Sequence, residues 1–482
     1  MGLVLHLFFM MLLCYNEYML NNDDTICAIA TSLTPSGIGI IRVSGNEAID
    51  IVSNIFVNSK KEKINLNESH KVKYGYIYNK ANDNFIDEVL VIPFFTPHSY
   101  TAENVVEIQS HGNAVVLKNI LNLLNDNGAR LAEPGEFTKR AFLNGRLDLS
   151  KAESVADIIS SKNEYALKAS FNQLKGNLTD KINGFRNNIL ESTAYIEACL
   201  DDPEHMSLIG YKEKLENNIS NIISELTTII KNYDNGKIIK EGINTVILGK
   251  PNVGKSSLLN TLLNEERAIV TDIAGTTRDT IKESINLNGI TLNIIDTAGI
   301  REEKDIDSVE KIGIERAKKE AELADLIILI LDATKQLDED DLTLISFCKA
   351  LNKKTITLLN KIDLVKEELY PQKIELQKPV INFSTKTKFG LSTLISSIEQ
   401  MFVNKELDFN SEIFISNERQ LALIKKAKGS LTNVISSIKN NMPEDLLTID
   451  LTDAYNYLSQ VLGIEINDDL VDEIFSKFCI GK

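Results

Sequence analysis

The chain of 482 residues is poor in cysteine and histidine, and the few that it has are scattered. Its five histidines form no cluster, and the cysteines show no close pair. Disulfide frameworks and zinc sites both need such residues in pairs or groups. The sequence therefore indicates neither a disulfide-rich secreted domain nor a zinc centre. The five cysteines are Cys14, Cys27, Cys199, Cys348 and Cys479.

The chain also has fewer positive than negative charges. It contains 52 Lys and Arg residues and 68 Asp and Glu residues, which gives a net charge of −16. Proteins that wrap nucleic acid broadly rely on cationic side chains against the phosphates. A nucleic-acid partner would have to meet a local basic patch or one on another subunit. The hydrophobic share of 43% is ordinary for a globular chain, and the length predicts roughly two to four domains.

The first residues are strongly apolar, but they do not form a convincing targeting segment. Residues 2–15 are too short to span a bilayer comfortably, and they lack the basic start and small-residue cleavage site of an export signal. We expect residues 1–22 to be an extension that results from a start codon assigned too early, with translation beginning at Met19. The expected protein is cytoplasmic, with no membrane association.

What the chain does contain is a phosphate-binding loop. Residues 249–256 read Gly-Lys-Pro-Asn-Val-Gly-Lys-Ser between an apolar β-type run and a helical run, which is the order that a P-loop needs. Backbone N–H groups of such a loop point at phosphate oxygens. We expect Lys255 to contact the β- and γ-phosphates as a catalytic residue and Ser256 to bind Mg²⁺. The predicted nucleotide-binding residues here are Asn252, Val253, Gly254, Lys255, Ser256 and Ser257.

Three further segments follow in the order of a guanine-nucleotide switch, and each comes after an apolar run. In residues 296–299, Asp296 would hold Mg²⁺ indirectly and the Gly299 N–H would contact the γ-phosphate. In residues 360–363, Asp363 would accept two hydrogen bonds that guanine offers and adenine cannot. Residues 384–386 would support the base contact, with Thr385 where Ala is usual. The four segments together predict a GTP-binding domain that uses Asp296, Thr297, Ala298, Gly299, Asn360, Lys361, Asp363, Ser384, Thr385 and Lys386.

The loop between the first two motifs resembles switch I of bacterial GTPases related to tRNA modification and ribosome assembly. Thr277 would complete the coordination of Mg²⁺. Position 300 is Ile, where many small GTPases place a Gln that orients water, so hydrolysis needs help from another residue. The predicted nucleotide-binding residues of this loop are Thr271, Asp272, Ile273, Ala274, Gly275, Thr276 and Thr277.

Hydrophobic periodicity predicts the domain organisation. Short apolar runs with Gly, Pro and Asn between them indicate a small α/β domain over 23–134, after the extension 1–22. Apolar residues spaced by three or four indicate helices in 135–240 and again in 403–482. The GTPase motifs occupy 241–402. We therefore predict a multi-domain α/β plus all-α protein, in which a Ras-like P-loop GTPase domain is inserted into a helical domain. The predicted helical core stripes include Leu167, Phe171, Leu174, Leu178, Ile182, Phe185 and Ile189, then Leu215, Ile219, Ile222, Leu226 and Ile229, and Leu447, Leu451, Ala454, Leu458 and Val461.

Four segments outside the GTPase motifs extend the resemblance over almost the whole chain. They are residues 37–45, 99–108 and 134–149 and the terminal Phe-Cys-Ile-Gly-Lys at 478–482. On these residues the chain, from about residue 23 onward, resembles the tRNA-modification GTPases of the MnmE (TrmE) family. It departs from the family pattern at 110–113 and at 201–204.

The resemblance implies a potassium-dependent mechanism. In the family, the residue that matches Asn252 binds K⁺ beside the phosphates, with oxygens from the residues that match Thr271, Ile273 and Thr276. A cation there does the work of an arginine finger. The residue that matches Glu310 orients the attacking water. From the sequence alone, Asn252 would be a turn residue and Glu310 a solvated helix residue.

A second site is implied in the N-terminal domain. By the same resemblance, Arg42, Glu107 and Arg146 bind the one-carbon donor 5-formyltetrahydrofolate, and Lys482 reaches it from the tail. Cations suit the glutamate tail of a folate, and a carboxylate suits the N–H groups of the pterin. Two interpretations of Cys479 stay open, a working thiol in catalysis and a packed small hydrophobic residue.

The family resemblance implies a K⁺-dependent GTP hydrolase that acts with the FAD-dependent subunit MnmG. The pair would form a heterotetramer, with this chain as a homodimer, and add an aminomethyl-type group to C5 of the wobble uridine of certain tRNAs, which would be bound largely through MnmG. Two alternatives remain. One is a regulatory GTPase that binds ribosomes or RNA without modification chemistry, and the other is a folate-binding structural protein with a decayed GTPase.

Overall fold

The computed structural model describes residues 24–202, 205, 210–265, 283–295, 319–365, 376–402, 413–415 and 417–481. The chain divides into two compact units. The first contains the residues up to Ala156 and those from Leu462 onward, and the second contains Asp157–Val461. The predicted domain boundaries at 23–134, 135–240, 241–402 and 403–482 stay predictions.

The first unit is built on a seven-stranded sheet in the order β3-β4-β5-β6-β2-β1-β7. Two amphipathic helices pack on this sheet and bury their apolar sides against it. Only β7 pairs in parallel, and the remaining neighbours are antiparallel. The elements are β1 Ile26–Ile29, β2 Ser36–Ser44, α1 Ala48–Ile55, β3 Phe56–Val57, β4 Lys73–Asn79, β5 Asn84–Phe94, β6 Val105–Gly112, α2 Ala114–Asp126, β7 Arg130–Leu131 and α3 Glu136–Leu143.

In the described residues, five helices lie between α3 and the nucleotide-binding segment. They are α4 Leu149–Ser160, α5 Glu164–Lys175, α6 Asn177–Asp201, α7 Tyr211–Lys231 and α8 Tyr233–Glu241. The predicted stripe of α7 is confirmed, because all five of its residues are buried. The stripe across α5 and α6 is confirmed only from Leu178 onward. Leu167 and Phe171 are 46% and 48% exposed, so their assignment to the core was wrong. Gly176, with a positive φ of 105°, ends α5, and the stripe does not continue across this break.

The central segment of the second unit forms a six-stranded sheet in the order β13-β12-β11-β8-β10-β9. Every neighbouring pair is parallel except β9 with β10. The carboxyl ends of parallel strands meet at one edge of a sheet, where loops can share a ligand. The elements are β8 Ile243–Leu248, α9 Lys255–Glu265, β9 Glu283–Leu287, β10 Ile290–Ile294, β11 Leu326–Asp332, α10 Glu339–Leu351, β12 Lys354–Asn360, a 3₁₀ turn Ile362–Leu364, β13 Val380–Asn382 and α11 Leu391–Phe402.

The chain ends in three helices, α12 Glu418–Lys439, α13 Glu444–Val461 and α14 Asp468–Phe475. In the second unit, α12 packs on α7 and on α13, and α13 packs on α6. The predicted stripe of α13 is confirmed, since all five of its residues are buried. In the first unit, α14 packs on α3, where the ring centroids of Phe142 and Phe475 are 6.1 Å apart. The last residues of the chain therefore belong to the same unit as the N-terminal sheet.

A buried arginine ties the start of the first unit to α3. Arg140 is 1% exposed and donates hydrogen bonds to the carboxylates of Asp24 and Glu136, at 2.6 and 3.0 Å. Its Nη1 also lies 3.3 Å from Glu103 Oε1. Burial raises the pKa of Glu136, but hydrogen bonds from Arg130 and Arg140 outweigh it, so the net pKa is lowered. The Glu136 carboxylate is thus held in its charged form at neutral pH.

Replacing Arg140 by Met should destabilise the first unit strongly. The substitution leaves several carboxylates without their buried cation, and breaking a buried ion pair from one side costs about 3–5 kcal/mol. Hydrogen exchange of β1 and β2, followed by mass spectrometry, should accelerate by at least about tenfold. Because the pKa of Glu136 is lowered, the stabilisation exists at neutral pH, and it should be lost from the unaltered protein as the pH falls through that lowered pKa.

The matched control is Lys61→Met, because the ion pair of Lys61 with Asp83 is exposed. Exposed pairs contribute little to stability, so exchange in the control should stay near that of the unaltered protein. Equal exchange in Arg140→Met and Lys61→Met would contradict a stabilising role for the buried network.

Candidate functional site

The P-loop is shaped by two glycines at places where no side chain fits. Gly254 has φ +110°, and a Cβ there would lie 2.3 Å from Asn360 Nδ2. A Cβ on Gly249 would lie 2.6 Å from the carbonyl oxygen of Ile330. Lys255, at the start of α9, donates from Nζ to the carbonyl oxygens of Gly249 and Lys250, at 3.0 and 2.9 Å. The Lys255 side chain therefore crosses the loop that is predicted to hold phosphate.

Asn360 connects the P-loop to the base-recognition loop. It ends β12 and is 1% exposed. Its Nδ2 donates to the carbonyl oxygen of Val253 at 2.7 Å, and its Oδ1 accepts from the Thr385 N–H at 3.1 Å. One amide side chain thus satisfies a donor and an acceptor from two loops far apart in sequence. The residues predicted at 252–257, 360–363 and 384–386 are brought together by this contact.

The carboxylate of Asp363 is oriented from behind by Ser384. Ser384 is fully buried, and its hydroxyl donates to Asp363 Oδ1 at 2.7 Å while accepting from the Thr387 N–H at 3.2 Å. Asp363 itself is exposed. An oriented and accessible carboxylate is the acceptor that the N–H groups of guanine require. The geometry therefore suits the role predicted for Asp363.

Asp332 is a part of this site that the sequence analysis missed. Lys361 donates from Nζ to the carbonyl oxygen of Asn252 and to Asp332 Oδ2, both at 2.8 Å. The other oxygen of Asp332 accepts from the N–H and hydroxyl groups of Thr334, at 3.0 and 2.6 Å. Burial raises the pKa of Asp332, but the bonds from Lys361 and Thr334 outweigh it and lower the pKa. The available signal was a charged residue at the end of the apolar strand β11.

A second set of ion pairs, which the sequence analysis also missed, joins Lys250 of the P-loop to the start of α10. Lys250 Nζ lies 2.5 Å from Asp338 Oδ2 and 2.7 Å from Asp341 Oδ2. These two aspartates form the capping box at the start of α10. The P-loop is therefore fixed to α10 as well as to β12.

Several predicted residues lie outside the described part of the chain, so their predictions stay predictions. They are Thr271, Asp272, Ile273, Ala274, Gly275, Thr276, Thr277, Asp296, Thr297, Ala298, Gly299, Glu310 and Lys482, together with the extension 1–22.

In the first unit, three of the four predicted folate-binding residues, Arg42, Glu107 and Arg146, lie together near Tyr100. Arg42 donates from Nε and Nη2 to Glu107 Oε1, at 3.0 and 2.8 Å. Arg146 donates to the carbonyl oxygen of Tyr100 at 2.7 Å. The guanidinium carbons of Arg42 and Arg146 lie 4.9 and 5.0 Å from the centroid of the Tyr100 ring. Such cation–π contacts position a guanidinium over a ring, and Tyr100 was not predicted.

The C-terminal tail reaches the same cluster. Arg42 Nη1 donates to the carbonyl oxygen of Gly481 at 3.3 Å. Gly481 has φ +90°, and a Cβ there would lie 2.7 Å from the carbonyl oxygen of Ile29. Two residues earlier, Cys479 is exposed, so in this chain it is not the packed small hydrophobic residue that was one of its two interpretations. The tail is thus seated by its backbone on β1 and on Arg42.

Within the described ranges, no helix combines the length and the apolar character that crossing a membrane requires.

Comparison with known proteins finds two family models on the chain. The N-terminus of the GTP-binding protein TrmE matches residues 25–146, and the MnmE helical domain matches residues 149–479. The tRNA modification GTPase MnmE of Lachnoclostridium phytofermentans is 51% identical over 464 residues, which cover 95% of this chain and 99% of that protein. The protein of the same name from Acetivibrio thermocellus is 48% identical over 462 residues, with 95% and 99% covered.

These matches extend over both units, and they agree with the P-loop sheet and the helices around it. They confirm the predicted fold class and the predicted enzyme class, a GTPase that takes part in tRNA modification. The chain therefore belongs to the MnmE family of tRNA modification GTPases.

Proposed function

We propose that this chain hydrolyses GTP in a K⁺-dependent reaction and, with the FAD-dependent subunit MnmG, modifies C5 of the wobble uridine in certain tRNAs. The chain would work in the cytoplasm as a homodimer, within a heterotetramer with MnmG, and take one carbon from 5-formyltetrahydrofolate. The observation that carries the proposal is the Asn360 side chain, which holds the P-loop and the base-recognition loop in one site.

The described residues have separate tasks in binding GTP. The P-loop backbone would hold the phosphates, and Lys255 would leave the carbonyl oxygens of Gly249 and Lys250 for a phosphate oxygen. Asp363 would accept the guanine N–H groups, oriented by Ser384. Ser256 would bind Mg²⁺ with Thr277. The Asn360 contacts fix the P-loop and the base-recognition loop relative to each other, which lowers the cost of ordering these two loops on binding.

Cation dependence is proposed at Asn252. This residue has φ +63° and is exposed at the turn of the P-loop. Its side chain is proposed to bind K⁺, with oxygens of Thr271, Ile273 and Thr276. When bound, Mg²⁺ and K⁺ would neutralise the charge that develops on the phosphates. Glu310 would orient the attacking water, a task that Ile300 cannot perform.

The contacts in the first unit support a different task for each of the proposed folate-binding residues. Arg42 is 12% exposed in its side chain and is already engaged with Glu107, Tyr100 and Gly481. Its task would be to hold Glu107 and the tail. Arg146 would bind the glutamate tail of the folate, with Lys482 nearby, and Glu107 would bind the pterin. Cys479 is exposed and would be accessible for chemistry.

The overall proposal is tested by wobble-uridine analysis. A strain without its own copy of the gene, complemented with this chain, should recover the C5-modified uridine in digests of its tRNA, measured by mass spectrometry. Recovery of growth without recovery of the modified nucleoside would favour a regulatory GTPase instead.

Replacing Asn360 by Ala should weaken binding of GDP and GTP. The substitution leaves the Val253 carbonyl and the Thr385 N–H without their partner, and a lost pair of this kind costs about 1–3 kcal/mol, or roughly ten- to hundredfold in affinity. Titration with a fluorescent GDP analogue measures the effect. Asn244→Ala is the matched control, because Asn244 lies on β8 at the end that is away from the P-loop. Equal affinities of the two variants would contradict the connecting role of Asn360.

GTP hydrolysis should be much faster in K⁺ than in Na⁺ at equal ionic strength, because Na⁺ is smaller and fits poorly among ligands spaced for K⁺. Asn252→Ala should remove the difference while GTP still binds, since Lys255 and the loop backbone remain.

Glu310→Ala should slow hydrolysis in both salts, by about 10²-fold or more. Phosphate release under multiple turnover is the measurement, and equal rates of the unaltered protein in both salts would exclude the potassium mechanism.

Replacing Gly481 by Ala should displace the tail and reduce tRNA modification and folate binding. The new Cβ would meet the carbonyl oxygen of Ile29 at 2.7 Å and Cα of Ala30 at 2.9 Å. Gly128→Ala is the matched control, because Gly128 also has a positive φ but its nearest neighbour would be 3.9 Å away. Calorimetric titration with 5-formyltetrahydrofolate should separate the two variants, with GTP binding normal in both. Normal modified-uridine levels in Gly481→Ala would show that the tail seat is dispensable.

A further inference from the structure

We propose that Asp332 is a positioning residue for the cation dependence of this GTPase. Its carboxylate would hold the ammonium group of Lys361, which in turn would hold the backbone of Asn252 in the conformation that presents the Asn252 side chain to K⁺. This inference rests on the proposed potassium mechanism. The three residues come from the ends of two parallel strands and from the P-loop.

The chain of contacts is short and direct. Lys361 Nζ lies 2.8 Å from the carbonyl oxygen of Asn252 and 2.8 Å from Asp332 Oδ2. β11 and β12 run in parallel, with Asp332 opposite Asn360 in the register. Lys361 follows directly after Asn360, so the sheet itself fixes the distance between the carboxylate and the lysine. The ammonium group then spans from the sheet edge to the turn of the P-loop.

Both ends of this lysine bridge have unusual backbones. Asn252 has φ +63° and Lys361 has φ +66°, both in the left-handed region. Asn tolerates this region, whereas for Lys it costs about 1–2 kcal/mol. A conformation of this kind persists when its surroundings hold it. The two hydrogen bonds of the Lys361 ammonium are contacts that hold these backbones.

The contacts of Asp332 orient its carboxylate toward the ammonium group of Lys361. The side chain of Asp332 is 9% exposed, whereas that of Lys361 is 30% exposed and could reach water. Thr334 fixes the carboxylate by two hydrogen bonds to Oδ1, which leaves Oδ2 aimed at Lys361. Charge-assisted hydrogen bonds are about twice as strong as neutral ones. A neutral residue at 332 would therefore hold Lys361 more weakly, and the Asn252 carbonyl would lose its donor part of the time.

The base-recognition contacts of Asn360 and Asp363 do not pass through Asp332, and a change at Asp332 leaves Lys361 itself in the chain. Asn360 binds the Val253 carbonyl and the Thr385 N–H through its own amide, and Ser384 orients Asp363. Losing the charge of Asp332 leaves these contacts intact. Asp332 therefore affects the cation response more than the affinity for guanine nucleotide.

The test uses Asp332→Asn in the full-length protein, with two readouts. The first is the K⁺ concentration that gives half-maximal GTP hydrolysis, which should rise by roughly fivefold or more because the Asn252 turn is less well held. The second needs no K⁺ and no turnover. Hydrogen exchange of the P-loop peptide that contains Asn252 should accelerate in nucleotide-free protein in Na⁺ buffer, while affinity for a fluorescent GDP analogue changes by less than about threefold.

Asp325→Asn is the matched control, because Asp325 precedes the same strand, is exposed, and accepts a hydrogen bond from the Asn244 N–H at 3.0 Å. It should leave both readouts unchanged. Lys361→Met should reproduce the faster exchange, and combining it with Asp332→Asn should add nothing further, since both changes break one bridge.

The outcomes separate this inference from the potassium mechanism on which it rests. If the unaltered protein responds to K⁺ and Asp332→Asn responds identically, Asp332 has no positioning role. If GDP affinity falls along with the K⁺ response, or if Asp325→Asn behaves like Asp332→Asn, the role is general support of the fold and the inference is wrong. If the unaltered protein shows no preference for K⁺, the potassium mechanism itself is excluded, and this inference with it.

Discussion

The nucleotide site depends on one buried amide. Asn360 donates to a backbone carbonyl of the P-loop, 107 residues earlier, and accepts from the loop that supports the base. Its position at the end of a buried strand gives it no freedom to turn away. Gly254 must lack a side chain because this amide occupies the space that a Cβ would need. The phosphate and guanine halves of the site are therefore set at a fixed distance by the sheet rather than by the nucleotide.

The first unit shows the same dependence on buried polar contacts. Arg140 joins the start of the described chain to α3, and Arg42 joins the sheet to the tail. Isolated ion pairs at a surface contribute little, but partly buried pairs that share hydrogen bonds are costly to break. In an acidic chain, these arginines are placed where several carboxylates or carbonyl oxygens converge. Arg140 and Arg42 therefore serve to fix backbone segments in the described part of this unit.

The sequence was enough to predict the fold class and the order of the GTPase motifs, because strand, loop and helix signals are local. The stripe of α7 was predicted correctly since it lies within one unbroken helix. Leu167 and Phe171 were assigned wrongly, because the apolar spacing was followed across Gly176, although a glycine after a helical run is a signal for the end of a helix. Asp332 and Tyr100 were missed for another reason. Their contacts are with residues distant in sequence, and no spacing rule connects them.

The seating of Gly481 on β1 has a consequence for synthesis. The first unit is made from both ends of the chain, whereas the second is made from the continuous stretch between them. Chains emerge from the ribosome N-terminus first, at about 5–20 residues per second, and domains tend to fold as they emerge. The contact between Gly481 and Ile29 can therefore form only after the ribosome has translated the more than 400 residues that separate them. A chain that stops before Gly481 lacks this contact, so the tail is seated on β1 late in synthesis.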